Sequence, residues 1–117
     1  MQDTSKQYDT VIESCKDIFL KKSADYGTSW RVLRTISVVD QILIKAQRIR
    51  TIQQKGTQRI DDDITAEFRG IINYGVIGLI QLQLPDSERE EIPIHELTGL
   101  YNNKISTAKK LMLDKNH

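Results

Sequence analysis

Residues 68–84, FRGIINYGVIGLIQLQL, are apolar almost all the way round a helix: Ile71, Ile72, Val76, Ile77, Leu79, Ile80 and Leu82 leave little room for a solvated face. Such a helix is stable only where neighbours cover most of its circumference, so the stretch predicts the central helix of an all-α bundle. Gly70, Gly75 and Gly78 sharpen that expectation. Each costs about 1 kcal/mol of helix propensity relative to Ala, a loss recovered where another backbone or a ligand comes close. Glu67, Asn73 and Tyr74 stand out against the apolar background, because a buried carboxylate or amide is costly without a partner. Lys45, Arg48 or Arg31 is the expected partner, in a structural ion pair or around a ligand or divalent ion. Asp61, Asp62 and Asp63 place negative charge at the start of this helix, where the macrodipole favours it and one of them serves as N-cap. Pro85 ends it, and the acidic run 86–91 reads as an exposed loop.

Three further helices follow from apolar spacing. Tyr8, Val11, Ile12, Cys15, Ile18 and Phe19 recur at three- and four-residue steps, with Thr4 and Gln7 at capping-box spacing, which starts the first helix near residue 5. A short helical piece over residues 30–36 follows the Asp25-Tyr26-Gly27 bend. Ser37 with Asp40 then reads as the N-cap of a long second helix that buries Val39, Ile42, Leu43, Ala46 and Ile49 and stops at Gly56. After Pro93, the positions Leu97, Leu100, Tyr101, Ile105, Ala108, Leu111 and Met112 mark the last. The fold expected is therefore one helical domain over residues 1–117: four long helices and one short extra turn. At an offset of 93, Tyr8, Ile12, Lys16 and Leu20 align with Tyr101, Ile105, Lys109 and Leu113, so residues 94–117 read as the first helix of a second, truncated repeat.

The bend collects the unusual residues. Gly27 accepts φ > 0, Thr28 and Ser29 are cap types, and a turn of that kind offers free N–H donors to an anion. Beside it Tyr26 and Trp30 can stack on a base or pack a core, and Arg31 and Arg34 can fork onto a phosphate. From residue 31 to residue 59 the chain carries seven cations against Asp40 alone. Gln41, Lys45 and Arg48 share one polar row of the second helix, which is either a binding face or a solvated one.

Composition narrows the classes. With 17 Lys and Arg against 16 Asp and Glu the net charge is +1, so no global field draws the chain to nucleic acid or to a membrane. A single Cys cannot form an internal disulfide, and no stretch of the sequence resembles a signal peptide or an apolar run of membrane-spanning length, so the cytoplasm is the expected compartment. His95 and His117 are far apart and neither has a metal-type neighbour at i+3 or i+4, which argues against zinc.

The KxxDYG-x-SW form within residues 21–30, Asp40-Gln41, Lys45-x-x-Arg48-Ile49 and Glu67-Phe68-x-Gly70-Ile71-x-Asn73-Tyr74 together resemble the nucleotide modification associated domain, type one, a family of bacteria and phages. The order of helices is more distantly similar to the MazG-like all-α nucleoside triphosphate pyrophosphohydrolases, which hold magnesium between acidic motifs on two helices. These resemblances imply a nucleotide- or phosphate-binding domain linked to nucleotide or nucleic-acid modification, with Lys22, Asp25, Tyr26, Trp30, Arg31, Lys45, Arg48 and Asn73 as binding residues. They also imply Asp40 and Glu67 as ligands of Mg²⁺. The MazG-like pattern needs two carboxylates three apart on each helix, and here Glu67 is followed by Gly70 and Asp40 has no acidic partner. The partner expected is a nucleotide or other phosphorylated small molecule, with direct nucleic-acid binding less favoured. The alternative is a non-catalytic helical module, forming a homo-oligomer such as a dimer, whose charged cluster is structural.

Overall fold

The computed structural model describes residues 3–56, 60–85 and 90–115, with no side-chain account for residues 60–63. Four helices, α1 (Thr4–Tyr26), α2 (Thr35–Lys55), α3 (Ile60–Gln83) and α4 (Ile94–Lys115), are joined by a 3-10 turn at Ser29–Val32 and by loops, in the all-α bundle expected. The molecule is a slab of 44 × 36 × 24 Å. α3 packs against each of the other three helices, whereas α2 rests mainly on α3. The central position predicted for the apolar helix is thus observed.

Phe19, Val38, Val76, Ile77, Ile80, Ile92, Leu97 and Tyr101 form the core. The ring of Tyr101 lies 4.8 Å from that of Phe19, centroid to centroid, which joins α4 to α1. Asn73 is the polar tie at the centre: its amide donates to the Cys15 carbonyl on α1 (3.0 Å) and accepts from the Tyr101 hydroxyl on α4 (2.8 Å). Its partners are therefore a carbonyl and a phenol, not the cations expected. Burial raises the Tyr101 hydroxyl well above the ordinary tyrosine value, and burial likewise raises the Cys15 thiol despite the nearby Arg69. Cys15 is buried, as its place on the apolar stripe implied. The helices that align at the offset of 93 pack on each other, with the Tyr8 hydroxyl donating to the Ile105 carbonyl (2.8 Å) and Lys109 paired with Asp9.

Several local expectations are corrected. Asp3, not Thr4, caps α1, because its carboxylate accepts the Ser5 N–H at 2.9 Å. α2 begins at Thr35 behind Arg34, so Ser37 lies inside the helix and caps nothing; Gly56 ends it in the left-handed conformation, as expected. The buried stripe of α2 is Val38 and Ile49, with Ile42 and Lys45 half-buried, while Val39 and Leu43 are exposed. The reason lies in α3. Gly70 and Gly78 form two notches about 12 Å apart along that helix, and Val38 and Lys45, about 10 Å apart, fill them. A Cβ on Gly70 would come within 2.8 Å of the Lys45 methylenes, and one on Gly78 within 3.5 Å of Val38 Cγ1. Ile42, Ala46 and Ile49 lie on the covered side as expected, whereas Val38 and Lys45 are covered where Val39 and Leu43 were expected to be. Asp61, Asp62 and Asp63 fall in the first turn of α3, but their side chains, like residues 86–89 of the acidic loop, Arg59 and His117, lie outside the described residues.

Candidate functional site

A solvent-open cavity of about 580 Å³ lies between the C-terminal half of α1, the 3-10 turn, α2 and α3. The α1 stripe that supplies Cys15 and Phe19 to the core continues at i+7 and i+11 as Lys22 and Tyr26, so one helical face becomes core below and cavity wall above. Trp30 forms the next wall and packs on Phe19, with ring centroids 6.4 Å apart. Lys45 reaches in from α2 and sets its ammonium 5.5 Å from the centre of the Tyr74 ring. α3 supplies the floor with Glu67, Arg69, Gly70, Asn73 and Tyr74. Among the described residues three cations, Lys22, Lys45 and Arg69, thus line the cavity with one carboxylate, Glu67, and four aromatic rings, Phe19, Tyr26, Trp30 and Tyr74.

Glu67 is only loosely held. Its Oε1 lies 3.6 Å from Arg48 Nη1, and the Arg48 side chain is 59% exposed, so that pair contributes little. Its Oε2 is buried and has no hydrogen-bond partner.

The cavity brings together six of the ten candidate binding and metal residues, Lys22, Tyr26, Trp30, Lys45, Glu67 and Asn73. Asn73 reaches it only as a wall, since both ends of its amide are engaged. Asp25, Arg31, Asp40 and Arg48 are not part of its lining. Asp25 and Asp40 are exposed, the latter on the side of α2 turned away from α3. Arg31 is buried and bonds Gln81 on α3, whose amide nitrogen lies within 3.1 Å of the Trp30, Arg31 and Leu33 carbonyls; this arginine braces the 3-10 turn. Two of the N–H groups expected to be free at the bend are in use. Gly27 donates to the Ser23 carbonyl, and Thr28 donates to Glu91 Oε1 at 3.0 Å while its hydroxyl accepts the Ile92 N–H. Thr28 therefore fastens the bend to the α3–α4 connection and caps no helix. Gly27 itself is required there, since its φ is 68° and a Cβ would collide with the Glu91 carboxylate.

Arg69 escaped the sequence reading. Its signal was a lone cation four residues before Asn73, hence on the same face of an otherwise apolar helix. Among the described residues no three His, Cys, Asp or Glu side chains group as a metal site, and no helix is long and apolar enough to cross a membrane.

An all-α domain with a cation-rimmed, aromatic-walled cavity is the class these features define. Within that class the chain belongs to the family described as Nucleotide modification associated domain 1, whose model matches residues 22–82, more than half of the chain. The matched span runs from Lys22 through α2 to Leu82 and so includes every cavity residue named above except Phe19. No curated protein and no solved structure matches the chain.

Proposed function

We propose that the cavity between α1, α2 and α3 binds a nucleotide or a related phosphorylated small molecule. One observation carries this reading: three cations and four aromatic rings converge on a cavity of about 580 Å³, a size suited to such a ligand. Lys22, Lys45 and Arg69 would neutralise phosphate, and Tyr26 or Trp30 would stack on a base. Among the described residues Glu67 is the one carboxylate lining the cavity and Asp40 lies outside it, so the described lining offers Mg²⁺ a single protein ligand, which favours binding over pyrophosphate hydrolysis. Isothermal titration with nucleoside mono- and triphosphates, with and without Mg²⁺, tests the proposal. Saturable heat whose affinity falls about thirtyfold in Lys22→Glu is expected; no heat for any of them overturns it.

A second reading, self-association, has its own observation. Ile64, Phe68, Ile71, Ile72, Gly75, Leu79 and Leu82 follow helical spacing along one side of α3, and Phe68, Leu79 and Leu82 are exposed there. None of these positions is ionisable, with Lys104 of α4 at the margin beside Ile72, Gly75 and Leu79. Gly75 lies within it with nothing near a built Cβ, unlike Gly70 and Gly78, so its propensity cost has no return inside one chain. Sedimentation of wild type and Leu79→Lys decides: a dimer that the substitution dissociates is expected, and a wild-type monomer at all concentrations removes the reading.

A further inference from the structure

The least satisfied atom of the cavity is Glu67 Oε2, which is buried and unpartnered although the walls carry three cations. Neither neighbouring base has claimed it: Lys45 sits over the Tyr74 ring, and Arg48 approaches only the other oxygen, at 3.6 Å. A buried carboxylate oxygen without an N–H partner carries a free-energy cost, and a ligand that brings N–H donors relieves it. The cations ask for the opposite kind of group, an anion. A ligand satisfying both must carry negative charge at one end and N–H groups at the other, with a flat surface between for the aromatic walls.

We infer that Glu67 reads the base of the bound nucleotide, accepting N–H donors from its pairing edge, and that the site therefore selects guanine over uracil or thymine. Guanine presents two adjacent donors, N1–H and the 2-amino group, in the plane and spacing that a carboxylate accepts with both oxygens, a contact that requires the Glu67 side chain to turn Oε2 out toward the cavity. Hypoxanthine keeps the first and lacks the second. Uracil and thymine present one N–H flanked by two carbonyls, whose lone pairs oppose the carboxylate oxygens. Adenine and cytosine offer a single exocyclic amine beside a ring acceptor and fall between. A buried acceptor left unpaired by the wrong base discriminates far more strongly than a missing apolar contact, so the ranking is steep.

This inference rests on the nucleotide-binding reading, and the test separates the two. The full chain is titrated calorimetrically with GMP, IMP, AMP, CMP, UMP and ribose 5-phosphate, as wild type and as Glu67→Gln. GMP is expected to bind about thirtyfold more tightly than UMP, with IMP between them. In Glu67→Gln the GMP advantage collapses to within about threefold while ribose 5-phosphate binds as well or better, since a negative charge has left the phosphate's surroundings. Thermal melting of the variant is expected at or above wild type, because the amide relieves an unpartnered buried carboxylate. Equal wild-type affinities for GMP and UMP, or a GMP preference that survives in Glu67→Gln, would overturn the base-reading role while leaving phosphate binding intact. Absence of binding by every compound, ribose 5-phosphate included, would overturn the nucleotide-binding reading itself and the base-reading role with it. The wild-type ranking decides even if the variant fails to fold.

Discussion

Two hollows flank α3, and they are built to opposite specifications. On the α2 side the 580 Å³ cavity mixes cations, aromatic rings and an unsatisfied carboxylate. Between α1, α3 and α4 lies a second hollow of about 490 Å³, bordered by Val11, Ile12, Ile72, Gly75, Leu79 and Met112, with Lys104 as its one charged residue. Asn73 faces the first and Val76, one turn on, faces the second, so a single helical turn separates a polar environment from an apolar one. The contrast shows how one helix that is apolar nearly all round serves two purposes. Where its notches are filled, at Gly70 and Gly78, a neighbouring helix is already seated; where the notch is open, at Gly75, the surface is unfinished.

The sharpest way to break this division is to remove the partition. Asn73→Leu removes the second donor to the Cys15 carbonyl and leaves the buried Tyr101 hydroxyl without its acceptor, and a loss of about 3 kcal/mol in urea unfolding is expected; a loss below about 1 kcal/mol would mean that the two hollows do not depend on that bridge. Next in size, Lys22→Glu should weaken nucleotide binding by about thirtyfold, roughly 2 kcal/mol, with unfolding unchanged. Leu79→Lys, in the apolar hollow, should leave nucleotide binding as it is, and a joint loss in both variants would erase the distinction between the hollows. A third effect is alkaline. Tyr101 has its folded value raised by burial, so its contribution is fully present below the ordinary tyrosine value of about 10 and is lost as pH rises beyond it, when only the unfolded chain gives up the proton. Stability measured at pH 8 and pH 11 should therefore fall in wild type and fall less in Tyr101→Phe. The smallest effects compare the notches. Gly75→Ala should stabilise one chain by about 0.5–1 kcal/mol and weaken any dimer, whereas Gly70→Ala should displace Lys45, read as lower nucleotide affinity with little change in melting.

Much of the architecture was legible because it depends on periodicity. The apolar run over residues 68–84 required a central helix, and Pro85, Gly56 and Gly27 marked stops that the structure keeps. What failed was part of one helix face: α2 covers Lys45 because its methylenes fit the Gly70 notch, a fit that hydrophobicity along one helix cannot register. The cavity was half legible for a related reason. Lys22, Tyr26 and Trp30 cluster in sequence, whereas Arg31 was drawn to the same cluster by proximity alone and is turned away by Gln81, fifty residues later. Likewise the N–H of Thr28 looked free because its partner, Glu91, stands sixty-three positions downstream. Spacing reports what shares a face; it is silent on which distant side chain claims a donor first.

The amide of Gln81 has a consequence for the order of events as the chain folds. It reaches the Trp30, Arg31 and Leu33 carbonyls from α3, so the corner between α1 and α2 borrows its donors from across some fifty residues of sequence. Such a corner has little reason to settle before α3 arrives, because closing so long a loop costs entropy that only the finished contact returns. The first two helices therefore reach their final angle late and together with the third, and kinetic probes placed at Trp30 should report the last step of assembly, not the first.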